Sequence, residues 1–190
     1  MHLFHPVIFL LLIWQVHQKH TNKYVVNNSN TDTHTMSKIN DAFTSIQQSL
    51  GSEIGVSDWQ VIDQAIIDTF GTVTLDRQFI HNDPARAKAE TPFGGTIAHG
   101  FLVLSLASRF AFDTFPKMEG QVMGMNYGFE KVRFLTPVLC DTRVRGRFTA
   151  KDVVLKSDAQ LLQTSTMTIE IEGATKPALV ADWLTLAVFG

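Results

Sequence analysis

The chain has 190 residues, enough for one domain of ordinary size and an extension. A hydrophobic fraction of 45% and a charged fraction of 18% are typical of a globular protein and exclude a disordered one. The formal net charge of -2 offers no general attraction to nucleic acid or to an anionic membrane, so we expect neither as a partner. The single cysteine, Cys140, excludes an intrachain disulfide and favours a reducing compartment, which predicts a cytoplasmic location.

The first 35 residues differ in composition from the rest. Residues 7–14 form a continuous apolar run that is too short to cross a bilayer as a helix. No Lys or Arg precedes this run and no Ala-x-Ala-like site follows it, as a secretory signal would require. We therefore predict that residues 1–35 are a non-domain extension produced by translation from upstream of the biological start at Met36. The alternative is a divergent signal or anchor. We expect residues 36–190 to form one domain that folds and is active on its own.

Short helices and one strand are predicted in the first half of this domain. Between them, a segment that contains Asp76 and His81 is interpreted as a loop. The predicted elements, in order, are a helix over residues 37–50, a strand over residues 54–59, a helix over residues 64–70 that begins at Asp63 and ends at Gly71, and a helix over residues 84–89 capped by Asp83.

A longer helix is predicted over residues 98–115, and it has almost no polar face. A helix that is apolar all round must be buried all round, either in a membrane or inside a protein. Arg109 and Asp113 argue against a membrane, and the segment is short for a membrane span. The pattern therefore predicts a sheet that curls around this helix.

The remainder of the chain is predicted to form strands. Alternation of polar and apolar residues, with Pro137 as a stop, indicates an antiparallel sheet. The last strand is the most apolar and should lie in the interior of that sheet. One long helix and about five antiparallel strands predict an α+β fold, with strands over residues 121–132, 133–135, 142–148, 161–172 and Leu179–Phe189.

One stretch carries the chemistry. Asp76 and His81 are five residues apart, and a Phe-Gly-Gly turn at Phe93 leads to Ile-Ala-His-Gly, which ends at Gly100 and opens the long helix. A carboxylate and an imidazole can share proton transfers, and the unpaired N–H groups at a helix start can stabilise negative charge on a carbonyl oxygen. The stretch therefore indicates acid/base chemistry on a carbonyl compound.

These motifs resemble the MaoC-type, or R-specific, enoyl-CoA hydratases of the hot-dog fold, and in particular their nodulation-protein-N-like branch. The similarity covers roughly residues 57–190. It implies an antiparallel sheet wrapped around a long central helix and a homodimer that shares its acyl-CoA pockets. It also implies a hydro-lyase of fatty acid metabolism that reversibly adds water to trans-2-enoyl-CoA and gives (R)-3-hydroxyacyl-CoA, without a metal or another cofactor.

The same resemblance suggests roles for single residues. Asp76 and His81 would hold and activate the water, and which of them is the base stays open. The other residues that it implies are Gly100 as an oxyanion and substrate-binding residue, Ser108 as a contact of the acid/base pair, and His99 as a residue that orients the loop. Ser105, on the same helix face as Ser108, is interpreted as bonded to its own helix. Gln78 and Phe79 stand where some relatives have Asn-Pro, which affects the expected acyl-chain preference.

Two other functions remain open at this point. A hot-dog acyl-CoA thioesterase would also place a carboxylate near a helix start, but without this aspartate–histidine spacing. A non-catalytic acyl-CoA-binding protein would be expected to have lost one member of the pair, whereas both Asp76 and His81 are present. Release of a free thiol, or binding without turnover, would identify these alternatives.

Overall fold

The computed structural model describes residues 29–190, so the apolar run at residues 7–14 and most of the predicted extension lie outside the described residues. The compact unit that contains the candidate site spans Thr33–Gly190. Its elements, in chain order, are α1 (Ser29–Gln48), β1 (Glu53–Val56), β2 (Gln60–Ile62), α2 (Gln64–Thr74), α3 (Phe79–Asn82), α4 (Pro84–Glu90), α5 (Gly100–Ser105), α6 (Ala107–Thr114), β3 (Gln121–Phe134), β4 (Thr142–Ser157), β5 (Gln160–Ile171) and β6 (Leu179–Phe189).

The strands form one antiparallel sheet of six strands, in the order β1-β4-β5-β6-β3, with β2 also paired to β4. The predicted α+β class is therefore confirmed. Strand β6 lies between β5 and β3, as its apolar composition predicted, and β3 is an edge strand with β6 as its neighbour. The strand predicted over residues 54–59 corresponds to the shorter β1, β2 was not predicted, and β4 continues well beyond Phe148.

The main core lies between the inner face of the sheet and helices α5 and α6. Alternate residues of β5 are buried, because successive side chains of a strand point to opposite faces. A second apolar cluster forms where Ile39 of α1 packs against the sheet. The main core includes Leu102, Val103, Ala107, Phe110, Phe148, Met167, Ile169 and Trp183, and the second cluster includes Val153, Leu161, Ala187 and Phe189.

The predicted long helix is divided into α5 and α6 at Leu106. The Ser105 hydroxyl donates a hydrogen bond of 2.7 Å to the main-chain oxygen of Leu102, the oxygen that the Leu106 N–H would bond in a regular helix. This bond confirms the interpretation of Ser105 as bonded to its own helix. The prediction that this helix is buried on all sides is wrong for a single chain. Phe101 is 70% exposed and Phe112 is 83% exposed.

Helix α2 is longer than predicted. It begins where Asp63 accepts a hydrogen bond of 2.9 Å from the Ile66 N–H, as expected of its cap. It does not end at Gly71 but continues to Thr74, and Leu75 ends it with a left-handed φ of 62°. Gly71 serves close packing instead, because a Cβ there would lie 2.9 Å from the Asp76 main-chain oxygen.

The segment predicted as a loop after α2 contains the short helix α3, which carries His81. Helix α4 begins at Pro84, and Asp83 caps it by accepting a bond of 3.0 Å from the Arg86 N–H, as predicted. No helix within residues 29–190 is long and apolar enough to cross a membrane.

Candidate functional site

Three side chains that could transfer protons meet where α2, α3 and α5 converge. A carboxylate oxygen of Asp76 and one ring nitrogen from each of His81 and His99 lie within 4.8 Å of one another. Asp76 directly follows the left-handed Leu75, and His81 belongs to α3. His99 directly precedes α5. The structure therefore brings together three residues that are up to 23 positions apart in the sequence.

His81 is held by its main-chain surroundings. Its Nδ1 lies 2.7 Å from the Ile97 main-chain oxygen. A carbonyl oxygen can only accept, so Nδ1 carries the hydrogen and the lone pair of the neutral ring is on Nε2. The side chain is buried, with 7% of the residue exposed.

The surroundings of His81 lower its pKa below the ordinary value of 6.5. Burial is the largest cause, since it disfavours the charged ring. The bond to Ile97 and the carboxylate of Asp76 act in the opposite direction, whereas His99 lowers the pKa further. At neutral pH, His81 is therefore an uncharged imidazole with one nitrogen available to accept a proton.

His99 contacts both His81 and the segment between α2 and α3 that carries Asp76, the aspartate loop. Its Nε2 donates a hydrogen bond of 2.8 Å to the main-chain oxygen of Asp76, and its ring stacks on that of His81 with centroids 3.8 Å apart. The Phe70 ring lies against it at 5.1 Å. These contacts fix the position of the Asp76 backbone relative to the His81 ring.

The pair of stacked rings does not favour a shared metal ion. An imidazole binds a metal in its own ring plane at about 2.0–2.1 Å. The planes of His81 and His99 are inclined by only 26° at a centroid separation of 3.8 Å, so they do not meet at that distance. Two of the four ring nitrogens also already bond main-chain oxygens.

His81 lines a cavity of about 360 Å³ beside the start of α5. Gly100 is the first residue of that helix, so its N–H has no acceptor within the helix. A Cβ on Gly100 would lie 3.1 Å from the Phe134 ring, so a residue with a side chain here would press against that ring. Other residues that line the cavity are Ile97, Val103, Leu135 and Val138.

Ser108 lies at a different cavity from His81. It is in α6 and lines a larger space of about 810 Å³ between α1, α6 and the sheet. The Asn126 Nδ2 donates a hydrogen bond of 3.0 Å to its hydroxyl oxygen. Asp76, His81 and His99 are thus together, with Gly100 in the wall of the His81 cavity, whereas no contact between Ser108 and the acid/base pair is seen within the described chain.

Sequence reasoning passed over two residues of this region, Gln64 and Phe134. Gln64 is the first residue of α2, and its side chain bonds both His81 and Thr96. Phe134 ends β3 and packs on Gly100. Only the tertiary fold identifies them, because a glutamine after a helix cap and a phenylalanine in a strand are ordinary in sequence.

Comparison with known proteins identifies relatives of this chain. The MaoC like domain family matches residues 45–172. Nodulation protein N of Rhizobium meliloti (strain 1021) is 48% identical over 148 residues, which cover 78% of this chain and 92% of that protein. The 3-hydroxyacyl-thioester dehydratase Z of Mycobacterium tuberculosis (strain ATCC 25618 / H37Rv) is 41% identical over 132 residues, which cover 70% of this chain and 86% of that protein.

Among solved structures, the (R)-hydratase from A. caviae involved in PHA biosynthesis superposes with a TM-score of 0.58 at 24% identity. The match covers 72% of this chain and 94% of that one, and it confirms the hot-dog fold. Because the family match spans more than half of the chain and both relatives are close over most of their lengths, this chain belongs to the MaoC-like dehydratase family.

Proposed function

We propose that the protein is a hydro-lyase that reversibly adds water to a trans-2-enoyl-CoA and gives the (R)-3-hydroxyacyl-CoA. The relatives support a hydratase or dehydratase of acyl thioesters, since one of them is a 3-hydroxyacyl-thioester dehydratase. The observation that carries the proposal is the meeting of the Asp76 carboxylate with a buried, neutral His81.

Hydration requires two proton transfers. A base takes a proton from water while the water oxygen bonds to C3, and a proton is delivered to C2 as the double bond is lost. In this proposal His81 Nε2 accepts a proton from the water, the Asp76 carboxylate orients that water by accepting a hydrogen bond from it, and the resulting imidazolium delivers the proton to C2. Positioned groups of this kind contribute roughly 10²–10⁴-fold in rate. The addition involves no net oxidation or reduction, so it needs no redox cofactor, and we propose that it proceeds without a metal.

Negative charge develops on the thioester oxygen during the addition. In our proposal, the Gly100 N–H binds that oxygen, because it has no acceptor within α5 and Gly100 lines the same cavity as His81. Removing one such donor commonly costs roughly 10²–10³-fold in rate. Phe134 limits the space above Gly100 and would help to exclude water from the oxygen.

Ser108 enters this proposal through substrate binding. Its cavity is lined by apolar residues such as Ala111 and Phe115 as well as by Asn126, which suits an acyl chain. We expect Ser108→Ala to lower activity by about tenfold, the equivalent of one lost hydrogen bond of about 1–1.5 kcal/mol.

We further propose a homodimer in the cytoplasm. Edge strand β3 exposes a row of apolar side chains, and Phe101 and Phe112 are exposed on the adjacent helices. An unpaired, apolar sheet edge is a ready site for another strand, and a second copy of the chain would cover it. The exposed residues of this edge are Val122, Met123, Met125, Tyr127, Phe129 and Phe134.

An assay with trans-2-enoyl-CoA substrates, from crotonyl-CoA to dodecenoyl-CoA, tests the reaction. We expect loss of the absorbance of the conjugated double bond, without release of free thiol, and an (R)-3-hydroxyacyl product in chiral analysis. Thiol release without hydration would establish a thioesterase instead. Tight binding of every substrate without turnover would establish a binding protein.

A further inference from the structure

We propose that Gln64 is a positioning residue of this site. Its side chain holds His81 and also holds the chain segment whose main chain bonds the His81 ring. The inference rests on the proposed function for its catalytic consequence, but its structural consequence can be measured without any reaction. Gln64 does not itself line the His81 cavity, and among the described residues its side chain bonds Asp68, His81 and Thr96. It would therefore act through His81.

The Gln64 side chain joins two segments that are far apart in sequence. Its Nε2 donates a hydrogen bond of 2.7 Å to the main-chain oxygen of His81. Its Oε1 accepts a bond of 2.6 Å from the hydroxyl of Thr96, which is almost completely buried. One amide thus holds α3 against the segment that leads into α5.

The second segment is the one on which the His81 ring depends. Thr96 directly precedes Ile97, whose main-chain oxygen accepts the bond from His81 Nδ1. The Ile97 N–H in turn donates a bond of 3.0 Å to the main-chain oxygen of Ile80. Gln64 therefore closes a ring of hydrogen bonds around His81 that determines which ring nitrogen carries the hydrogen.

Asp68 fixes the orientation of Gln64. One turn along α2, its Oδ1 accepts a bond of 2.8 Å from Gln64 Nε2 and another of 2.7 Å from Asn82 Nδ2. Both amide hydrogens of Gln64 are therefore used, and its oxygen is also bonded. A glutamate at this position has the same shape, but it would lose both donors and place a second carboxylate beside Asp68.

Loss of the Gln64 hydrogen bonds should change the hydrogen bonding and orientation of the His81 ring. If α3 and the Thr96 segment separate, the Nδ1–H bond to Ile97 weakens and the Nε2 lone pair loses its direction. Small misplacements of a catalytic group can cost roughly 10²-fold in rate. We therefore expect Gln64→Glu to lower kcat by roughly 10–100-fold while KM changes by less than about threefold.

The test compares wild type, Gln64→Glu and a control, Thr69→Ala. Thr69 is an exposed residue of the same helix whose hydroxyl bonds only its own helix, at the Ala65 oxygen. Nitrogen-15 NMR of the substrate-free protein reports the tautomer of His81 and its titration, with Asp76 and His99 as the charged or titratable neighbours. We expect the Nδ1–H tautomer in wild type and Thr69→Ala, and a mixture of tautomers in Gln64→Glu.

The outcomes separate this inference from the proposed function. An unchanged His81 tautomer and unchanged kcat in Gln64→Glu would overturn the positioning role. A wild type without hydratase activity would overturn the proposed function, while the NMR comparison would still decide the role of Gln64. Should Gln64→Glu fail to fold, Thr96→Val provides the second variant, because it removes the hydroxyl that bonds Gln64. It is expected to show the same change in tautomer, and an unchanged tautomer there would overturn the inference.

Discussion

His81 combines burial with a fixed hydrogen bond, and the two act on its pKa in opposite directions. Burial lowers the pKa and the Ile97 oxygen raises it, with burial the larger cause. An imidazole that accepts a proton near neutral pH must be uncharged there, so the lowered pKa suits the role that we propose for His81. The bond to Ile97 adds direction, because it leaves only Nε2 free.

The pH dependence of His81 follows from this pKa. We expect His81 to titrate below 6.5 in the folded protein, and the acid limb of kcat/KM to fall below that pH. The unfolded chain, with an ordinary pKa, then binds a proton more readily than the folded one. The contribution of His81 to the free energy of unfolding is therefore fully present above about pH 6.5 and decreases as the pH falls through the folded pKa.

NMR titration, together with urea unfolding of wild type and His81→Gln between pH 7.5 and pH 5, measures this contribution. The difference in the free energy of unfolding between the two proteins should change with pH in the stated direction. A His81 midpoint above 6.5, or a pH-independent difference, would contradict the assignment of a buried, neutral imidazole.

At the residue scale, much of the site could be predicted from the sequence. The spacing of Asp76 and His81 and the Ile-Ala-His-Gly motif are local features, and the structure places Asp76, His81 and His99 together. The role of Gln64 was not predictable, because His81 and Thr96, which it joins, lie 17 and 32 positions away and nothing in the local pattern distinguishes it from any exposed glutamine.

At the scale of elements, α2 and α3 form the support of the aspartate loop. They approach each other closely at Gly71, where an added Cβ would lie 2.6 Å from Asn82 Oδ1 and 2.9 Å from the Asp76 main-chain oxygen. Contacts this short require one of the two segments to move. Since both segments carry residues of the site, close packing here serves catalytic geometry as well as stability.

Gly71→Ala should therefore displace the Asp76 loop. We expect kcat to fall by roughly 10²-fold, together with a lower melting temperature. Gly95→Ala is the matched control, because a Cβ there would meet no atom within 4 Å. Equal activities of the two variants in the enoyl-CoA assay would show that the α2–α3 contact does not position Asp76.

Element boundaries were predictable where a periodic pattern was continuous. The predicted last strand coincides with β6 at Leu179–Phe189. The long helix was predicted without its interruption, because Ser105 competes for a main-chain oxygen by a contact that periodicity does not reveal. The end of α2 was misassigned because Gly71 resembles a helix terminator, whereas its role is close packing and Leu75 takes the left-handed position.

At the scale of the whole molecule, the two sides of the sheet differ in how fully their strands are paired. Strand β4 pairs with β1, β2 and β5, whereas β3 pairs only with β6 within the described chain and exposes apolar side chains along its length. Helices α5 and α6 likewise expose Phe101 and Phe112, so the predicted burial of the central helix fails for a single chain. In the proposed dimer, a second copy covers the β3 edge.

Disruption of the β3 edge tests the proposed dimer. Tyr127 on β3 is 55% exposed, and Tyr127→Lys places a charge where two edges would meet. We expect light scattering to give the mass of two chains for wild type and of one chain for Tyr127→Lys. Val154→Lys, at a residue of β4 that is 44% exposed, should remain dimeric. A wild type with the mass of one chain and full activity would contradict the dimer.

The central claim is that Asp76 and His81 act as a unit on one water molecule. The most direct measurement is the rate of hydration of a trans-2-enoyl-CoA by wild type, Asp76→Asn, His81→Ala and the double variant, with melting temperatures as a control for folding. We predict that each single change lowers kcat by roughly 10²–10⁴-fold with little change in melting temperature, and that the double variant is scarcely slower than either single one. Hydration by Asp76→Asn at the wild-type rate would contradict the claim.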